Sequence, residues 1–239
     1  TGGSRSSYSA GGAILASTNS IIEKSRSKAS DILEVKPEDL EFYEGNFIIK
    51  GTDKKISIFN IAKQFLGEAS KKEENNKLTS FDSYTSEGST FPNGCHIVEV
   101  EIDPETGFSK IDRYTVIDDF GVVLNPMIVE GQIHGGIAQG IGQALLEDTI
   151  YDTTGQLITG SFMDYTMPRA DNIPSIEISM NSFPCKTNSL GVKGAGEAGT
   201  TGATGAVINA IIDALSPYDI SHIEMPATPQ RIWESINKK

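Results

Sequence analysis

The apolar positions of this chain change period several times. Behind a polar start, Ala13, Ile14, Ile21, Ile22, Ile32 and Leu33 recur at helical spacing, which predicts a helix that ends before Pro37. Phe42, Phe47, Ile48, Ile49, Ile56 and Ile58 then flank turns at 44–46 and 51–53, a strand–turn–strand pattern. Residues 60–66 predict a short helix, and the charged run K-K-E-E-N-N-K at 71–77 predicts a solvated loop. The clearest strand pair is 95–102 and 108–118, where apolar and polar residues alternate on both sides of the turn D-P-E-T-G at 103–107. Ile133, Ile137, Ile141, Ala144 and Leu145 restore a helical period, and 176–180 alternates as a strand. Ala203, Ala206, Val207, Ala210, Ile211 and Ala214 predict a buried helix. The tail T-P-Q-R-I-W at 228–233 predicts a last helix, with proline at its first position and Trp233 packed inward. The sum is an α+β fold, in which antiparallel hairpins and sheets are interleaved with long helices. Two subdomains are expected, 1–78 and 79–239.

Glycine breaks these patterns in two places. The helix predicted around 122–148 carries glycines at 131, 135, 136, 140 and 142. Each costs a helix about 0.8–1 kcal/mol against alanine, so close approach by another backbone or by a ligand is expected there. Near the C-terminal end, Gly191, Gly194, Gly196 and Gly199 surround one isolated carboxylate, Glu197, and lead straight into the buried helix. A Gly-rich turn that opens a helix presents free N–H groups and the positive end of the dipole, which suits an anion. The start T-G-G-S-R-S-S-Y-S-A-G-G repeats that arrangement. By composition alone it equally reads as a flexible terminus.

The net charge of −12 argues against nucleic acid or an anionic membrane as partner. An anionic ligand would then be held by N–H groups and hydroxyls more than by a basic patch. No apolar run reaches membrane-spanning length and no leader pattern is visible, so a cytoplasmic protein is expected. The two cysteines, Cys95 and Cys185, lack metal-ligand spacing and read as reduced, mostly buried thiols. No metal ligand is assigned to this chain.

Other candidate chemistry is weaker. Glu99 and Glu101 share the outward face of an alternating strand, and Asp103 opens a turn, so none of the three reads as an acid/base pair. Asp164, Tyr165 and Arg169 read as structural, with Arg169 expected in a buried ion pair. His134 and Gln139 read as packed or surface side chains. There is no G-K-S/T phosphate loop and no strand–GxGxxG–helix unit.

Three segments occur in a recognisable order: G-S-R-S-S at 3–7, N-P…E-G-Q…G-G at 125–136, and G-V-K-G-A-G-E-A-G at 191–199. Together with V-E-V-E-I-D-P-E-T-G at 98–107 and D-Y-x-x-P-R-A-x-x-I-P at 164–174, the chain resembles the molybdenum-binding large subunits of the molybdenum hydroxylases over nearly all of residues 2–233. That family comprises xanthine dehydrogenase, aldehyde oxidase and aerobic carbon monoxide dehydrogenase. The K-G-A-G-E-A-G segment is more similar to the carbon monoxide and aldehyde branches than to the animal xanthine enzymes.

The resemblance implies a molybdopterin dinucleotide with molybdenum as cofactor. It makes Glu197 the general base that takes a proton from the oxygen nucleophile, at a position expected to be shielded from water. Gly3, Ser4, Ser6, Ser7, Gln132, Lys193, Gly194 and Gly196 become cofactor contacts. The implied partners are an iron–sulfur subunit, a flavin (FAD) subunit and the remaining N-terminal part of the molybdenum subunit, where the substrate-facing loop is expected. The chain is expected to be the C-terminal portion of the cofactor domain, inactive alone. Its expected reaction is oxidation of carbon monoxide, an aldehyde or an N-heterocycle, with water as oxygen source. Two alternatives use the same glycine loops: a non-redox nucleotide-binding module and an assembly-only subunit.

Overall fold

The computed structural model describes residues 2–68 and 78–238; the charged run at 71–77 lies outside the described residues. The elements run α1 (Ser6–Leu33), β1 (Leu40–Tyr43), β2 (Asn46–Ile49), β3 (Lys55–Ser57), α2 (Ile58–Glu68), β4 (Asn93–Ile102), β5 (Ser109–Asp119), α3 (Pro126–Leu145), β6 (Ile176–Met180), α4 (Ala198–Ala214) and α5 (Pro229–Asn237). This is the expected α+β composition. The chain divides into two compact units, one of residues 9–86 and one of residues 1–8 with 87–239. The expected division at 78/79 differs from this chiefly at the N-terminus, where the first eight residues belong with the later part of the chain.

In the smaller unit β1, β2 and β3 form an antiparallel meander. Ala29 of α1, Leu40, Phe47 and Ile61 make its buried core. The Arg26 guanidinium lies 5.6 Å from the centre of the Phe47 ring and donates to the Leu40 carbonyl at 2.7 Å. Ile14, which the helical period placed among the inward positions, is exposed.

The larger unit holds a three-stranded sheet in the order β4-β5-β6. The hairpin forms as its alternation predicts: Val98, Val100 and Ile102 pack on the core while Glu99 and Glu101 face solvent. A bulge at Glu99/Val100 gives β5 one extra residue, so Ile111 and Tyr114 both face the core although three positions separate them. Glu99 pairs with exposed Arg113 at 3.4 Å, and Asp103 closes its turn by accepting from Thr106 Oγ1 and the Glu105 N–H. β6 lies parallel to β5, so the sheet is mixed where only antiparallel pairing was expected.

α3 starts where Asn125 Oδ1 accepts from the Ile128 N–H at 3.1 Å, with Pro126 in the first helical position. Ile133, Ile137 and Ile141 along it are fully buried. An ideal Cβ at Gly136 would lie 2.9 Å from the Thr200 nitrogen, one at Gly140 2.6 Å from the Ala203 Cβ, and one at Gly199 2.7 Å from the Ile133 carbonyl oxygen. α3 and α4 therefore meet backbone to backbone, and only glycine allows it. The two glycines of α3 at this contact cost about 2 kcal/mol of helix propensity. Three fully buried isoleucines, at about 1.5–3 kcal/mol each, outweigh that.

Three local expectations need correction. α5 is capped by Thr228, which accepts from the Arg231 N–H, but it turns Ile232 inward and leaves Trp233 45% exposed. Ile232 takes the centre of the inward face, and Trp233, about 100° further round the helix, lies at its edge. Arg169 is exposed on the irregular stretch before a 3-10 turn at 170–172 and makes no ion pair among the described residues. Cys95 is exposed, because it shares the outward face of β4 with Ile97, Glu99 and Glu101, and Cys185 is half-buried in the loop between β6 and α4.

Candidate cofactor site

Three separate stretches of chain build one cavity. The first is the start, where Gly3 (φ +64°) and Ser4 (φ +51°) both take the left-handed backbone. For a serine this conformation costs about 1–2 kcal/mol, so its surroundings must hold it. The reversal ends directly in α1, whose first residues are Ser6 and Ser7. The N-terminus is thus a helix start and not a wholly flexible tail, and no acidic side chain occupies its first turn. The second stretch is the exposed side of α3, which presents Gln132. The third is the loop before α4.

That loop is fixed by backbone bonds. The Lys193 N–H donates to the Phe120 carbonyl at 2.8 Å and the Gly194 N–H to the Thr90 carbonyl at 3.1 Å. Asn188 brackets Val192, accepting from its N–H at 3.2 Å and donating to its carbonyl at 2.9 Å. Gly194 is pressed against the serine reversal, since a Cβ there would lie 2.7 Å from the Ser4 Cβ. A Cβ at Gly196 would lie 3.2 Å from Ser4 Oγ and 3.5 Å from Gln132 Oε1.

Gly3, Ser4, Ser6, Ser7, Gln132, Gly196 and Glu197 all line the resulting cavity of about 380 Å³. Glu197 stands at the N-cap position of α4, yet its side chain makes no capping bond. Its carboxylate instead accepts from Ser4 Oγ at 3.1 Å through Oε2. The residue is exposed, not shielded as expected for a base.

Two expected contacts lie elsewhere. Gly194 is buried beneath Ser4 and borders a neighbouring cavity. Lys193 does not line the first cavity; its ammonium pairs with Asp119, and both side chains are mostly buried, at 13% and 12% exposure. Burial would raise the Asp119 pKa, but the Lys193 ammonium and the N–H groups of Phe183 and Gly121 outweigh it and hold the carboxyl below its ordinary value. His134 and Gln139 are exposed on α3 outside both cavities. Tyr165 donates to Glu147, and Asp164 accepts from Ser161 at 2.6 Å, both structural bonds.

Sequence reasoning missed Asp118, Asp119, His96, Tyr114 and Thr90. The pair of adjacent aspartates closing a strand was the available signal. One of any two successive strand residues faces inward, so at least one of them had to be buried.

Among the described residues the cavity wall offers three hydroxyls, a carboxamide, a helix N-terminus and one carboxylate, and no Lys or Arg side chain. That set suits an anionic ligand held by dipoles and hydroxyls rather than by a basic patch. A family profile described as molybdopterin cofactor-binding domain matches residues 1–174. The chain is 38% identical to the nicotine 6-hydroxylase large subunit of Paenarthrobacter nicotinovorans over 96% of its length and 29% of that protein. It is 34% identical to the carbon monoxide dehydrogenase large chain of Hydrogenophaga pseudoflava, over 100% of its length and 30% of that protein. Among solved structures, quinoline 2-oxidoreductase from Pseudomonas putida 86 superimposes with a TM-score of 0.90 at 33% identity, covering 100% of this chain and 31% of that one. The chain belongs to the molybdopterin-binding large subunits of the molybdenum hydroxylases. It spans about 30% of the length of the relatives it matches. A Cβ at 196 would occupy the space between Ser4 and Gln132, so the glycine there keeps the cavity open, as a bound cofactor requires.

Proposed function

We propose that this chain forms the part of a molybdenum hydroxylase large subunit that grips the pterin dinucleotide and supplies the general base, Glu197. The observation that carries the reading is the convergence of the Ser4 reversal, Gln132 and Glu197 on one cavity, with the Glu197 carboxylate unused by its own helix. When bound, the cofactor supplies two-electron redox chemistry at molybdenum.

The chain's own residues do the rest. Ser6, Ser7 and the N–H groups at the start of α1 hold phosphate oxygens without a basic patch. Gln132 donates its amide to the cofactor, and Gly196 lets it approach the backbone. Ser4 donates to Oε2 of Glu197, which leaves Oε1 free to take a proton from the oxygen nucleophile derived from water. Lys193, committed to Asp119, fixes the position of the loop.

The substrate is a small electrophilic carbon: carbon monoxide, an aldehyde or an N-heterocycle. The names of the relatives span carbon monoxide and the N-heterocycles nicotine and quinoline, so the discriminating contacts belong to other parts of the assembly. An iron–sulfur subunit, a flavin subunit and the rest of the molybdenum subunit complete it. A nucleotide-binding module without redox chemistry, or an assembly-only subunit, gives no role to a carboxylate held by Ser4 at the cavity wall. Glu197→Gln in the assembled enzyme should lower kcat by about 10²–10⁴-fold with molybdenum content unchanged. Full turnover in that variant contradicts the assignment.

A further inference from the structure

α4 lies against α3 on one side and β4 on the other. Its first turns carry Glu197. The Glu197 carbonyl accepts from the Thr201 N–H at 3.0 Å and from Thr201 Oγ1 at 2.8 Å, so this residue moves with the helix. Toward α3 the helix rests backbone to backbone through Gly199. Toward β4 it rests on a side chain: an ideal Cβ at Gly202 would come within 2.5 Å of Cδ2 and Nε2 of His96. Glycine in the second turn of a helix costs propensity, and the close approach of this ring is what requires it.

The ring itself is held from two sides. The Tyr114 hydroxyl lies 2.6 Å from His96 Nδ1, with the two rings edge to face, and His96 Nε2 faces Asp118 Oδ1 at 3.6 Å. Tyr114 is fully buried, and burial and then the nearby Asp118 charge raise its pKa, so the phenol keeps its proton. It donates to Nδ1, which leaves the imidazole proton on Nε2, toward Asp118. The His96 and Asp118 side chains are 5% and 2% exposed. A Cβ at Gly94 would lie 1.7 Å from Asp118 Oδ1, so glycine leaves room for the aspartate beside the ring. Turning the ring over would leave the buried phenol proton without an acceptor, and the row therefore fixes its orientation.

We propose that His96 is a positioning residue for Glu197: its locked ring sets how closely α4 approaches β4, and so where the carboxylate stands on the cavity wall. This rests on the reading of Glu197 as the general base. A base acts only within hydrogen-bond reach of the proton it takes, about 2.6–3.2 Å. Misplacement by about 1 Å costs on the order of 10²-fold in rate. The stretch around Glu197 has little stiffness of its own, with glycines at 194, 196, 199 and 202. A rigid spacer one turn beyond the carboxylate supplies what the backbone lacks. His96 takes no proton in the reaction; it acts through the helix.

The test compares Gly202→Ala with Gly205→Ala, whose added methyl meets nothing within 4 Å, in the assembly purified from its native cells. With the ring locked, the methyl at 202 pushes α4 away from β4. The expected result is kcat per molybdenum lowered at least about tenfold with KM unchanged, against parent values in Gly205→Ala. Removing the ring as well, in Gly202→Ala with His96→Ala, should restore most of the rate. Tyr114→Phe, which unlocks the ring by deleting one hydroxyl, should lower kcat in the same sense and serves should the double variant fail to fold. Hydrogen exchange at the Thr201 amide in cofactor-stripped assembly is a readout free of turnover, expected to be faster in Gly202→Ala and Tyr114→Phe. Parent values of kcat and exchange in both variants, or a loss of rate that the double variant leaves in place, overturn the positioning role. Glu197→Gln run alongside separates the two readings. Full turnover there strikes the base assignment itself, whereas a slow Glu197→Gln beside a normal Gly202→Ala strikes the positioning role alone.

Discussion

Ser4 Oγ donates to Glu197 Oε2 at 3.1 Å, joining the loop before α1 to the first position of α4 across 193 residues of sequence. The serine takes a left-handed backbone to do so. Ser4→Ala should therefore lower kcat about tenfold by freeing the carboxylate to rotate, a typical effect of losing one hydrogen bond to a charged group. Molybdenum content should stay constant. The measurement is steady-state kinetics with metal analysis on the same preparation.

The crossing of α3 and α4 predicts opposite signs for neighbouring glycines. Gly136→Ala places a methyl 2.9 Å from the Thr200 nitrogen and should destabilise the fold by about 1–3 kcal/mol. Gly135→Ala meets nothing within 4 Å and should stabilise by about 0.4–1 kcal/mol. Denaturant unfolding of the two variants side by side checks the packing.

Lys193→Met removes the partner of a mostly buried carboxylate. Loss of stability by about 2 kcal/mol at neutral pH is expected, below the full effect of breaking a wholly buried pair because both groups keep some solvent contact. The pH dependence follows from Asp119. Its folded pKa is depressed, so its contribution is present above the ordinary carboxylate range and lost as pH falls through the lowered value. In the variant that depression is relieved, and acid unfolding should begin at higher pH, as circular dichroism followed against pH would show.

Asn125→Ala deletes the side-chain cap of α3 and should cost about 1 kcal/mol. Because α3 carries Gln132 seven residues further on, cofactor retention through gel filtration should weaken in parallel.

How much of this was legible in the sequence depended on the range of the interaction. The β4–β5 hairpin could be read because its alternation and its turn are local, and Asn125–Pro126 announced the start of α3 for the same reason. The parallel seat of β6 on β5 has no local signature. Glycine counts showed that α3 approaches something closely, but Gly136 and Gly140 meet α4 whereas Gly131 and Gly135 face open space. Only the rotation of the packed helix separates them. The resemblance implied Lys193 as a cofactor contact, and Asp119, 74 residues away, pairs with it instead. His96 and Asp118 were missed because a polar residue on a half-buried strand normally faces water, and here glycines at 94 and 202 let both turn inward.

The central claim is that the cavity between Ser4, Gln132 and Glu197 holds a molybdenum cofactor. The most direct measurement is molybdenum per chain, by mass spectrometry of the metal, on the assembly purified through a tag on this chain in its native cells. Stoichiometric molybdenum, accompanied by iron and further chains and lost together with phosphate when Gly196→Val fills the cradle, is the predicted result. An intact assembly that carries no molybdenum would contradict the account.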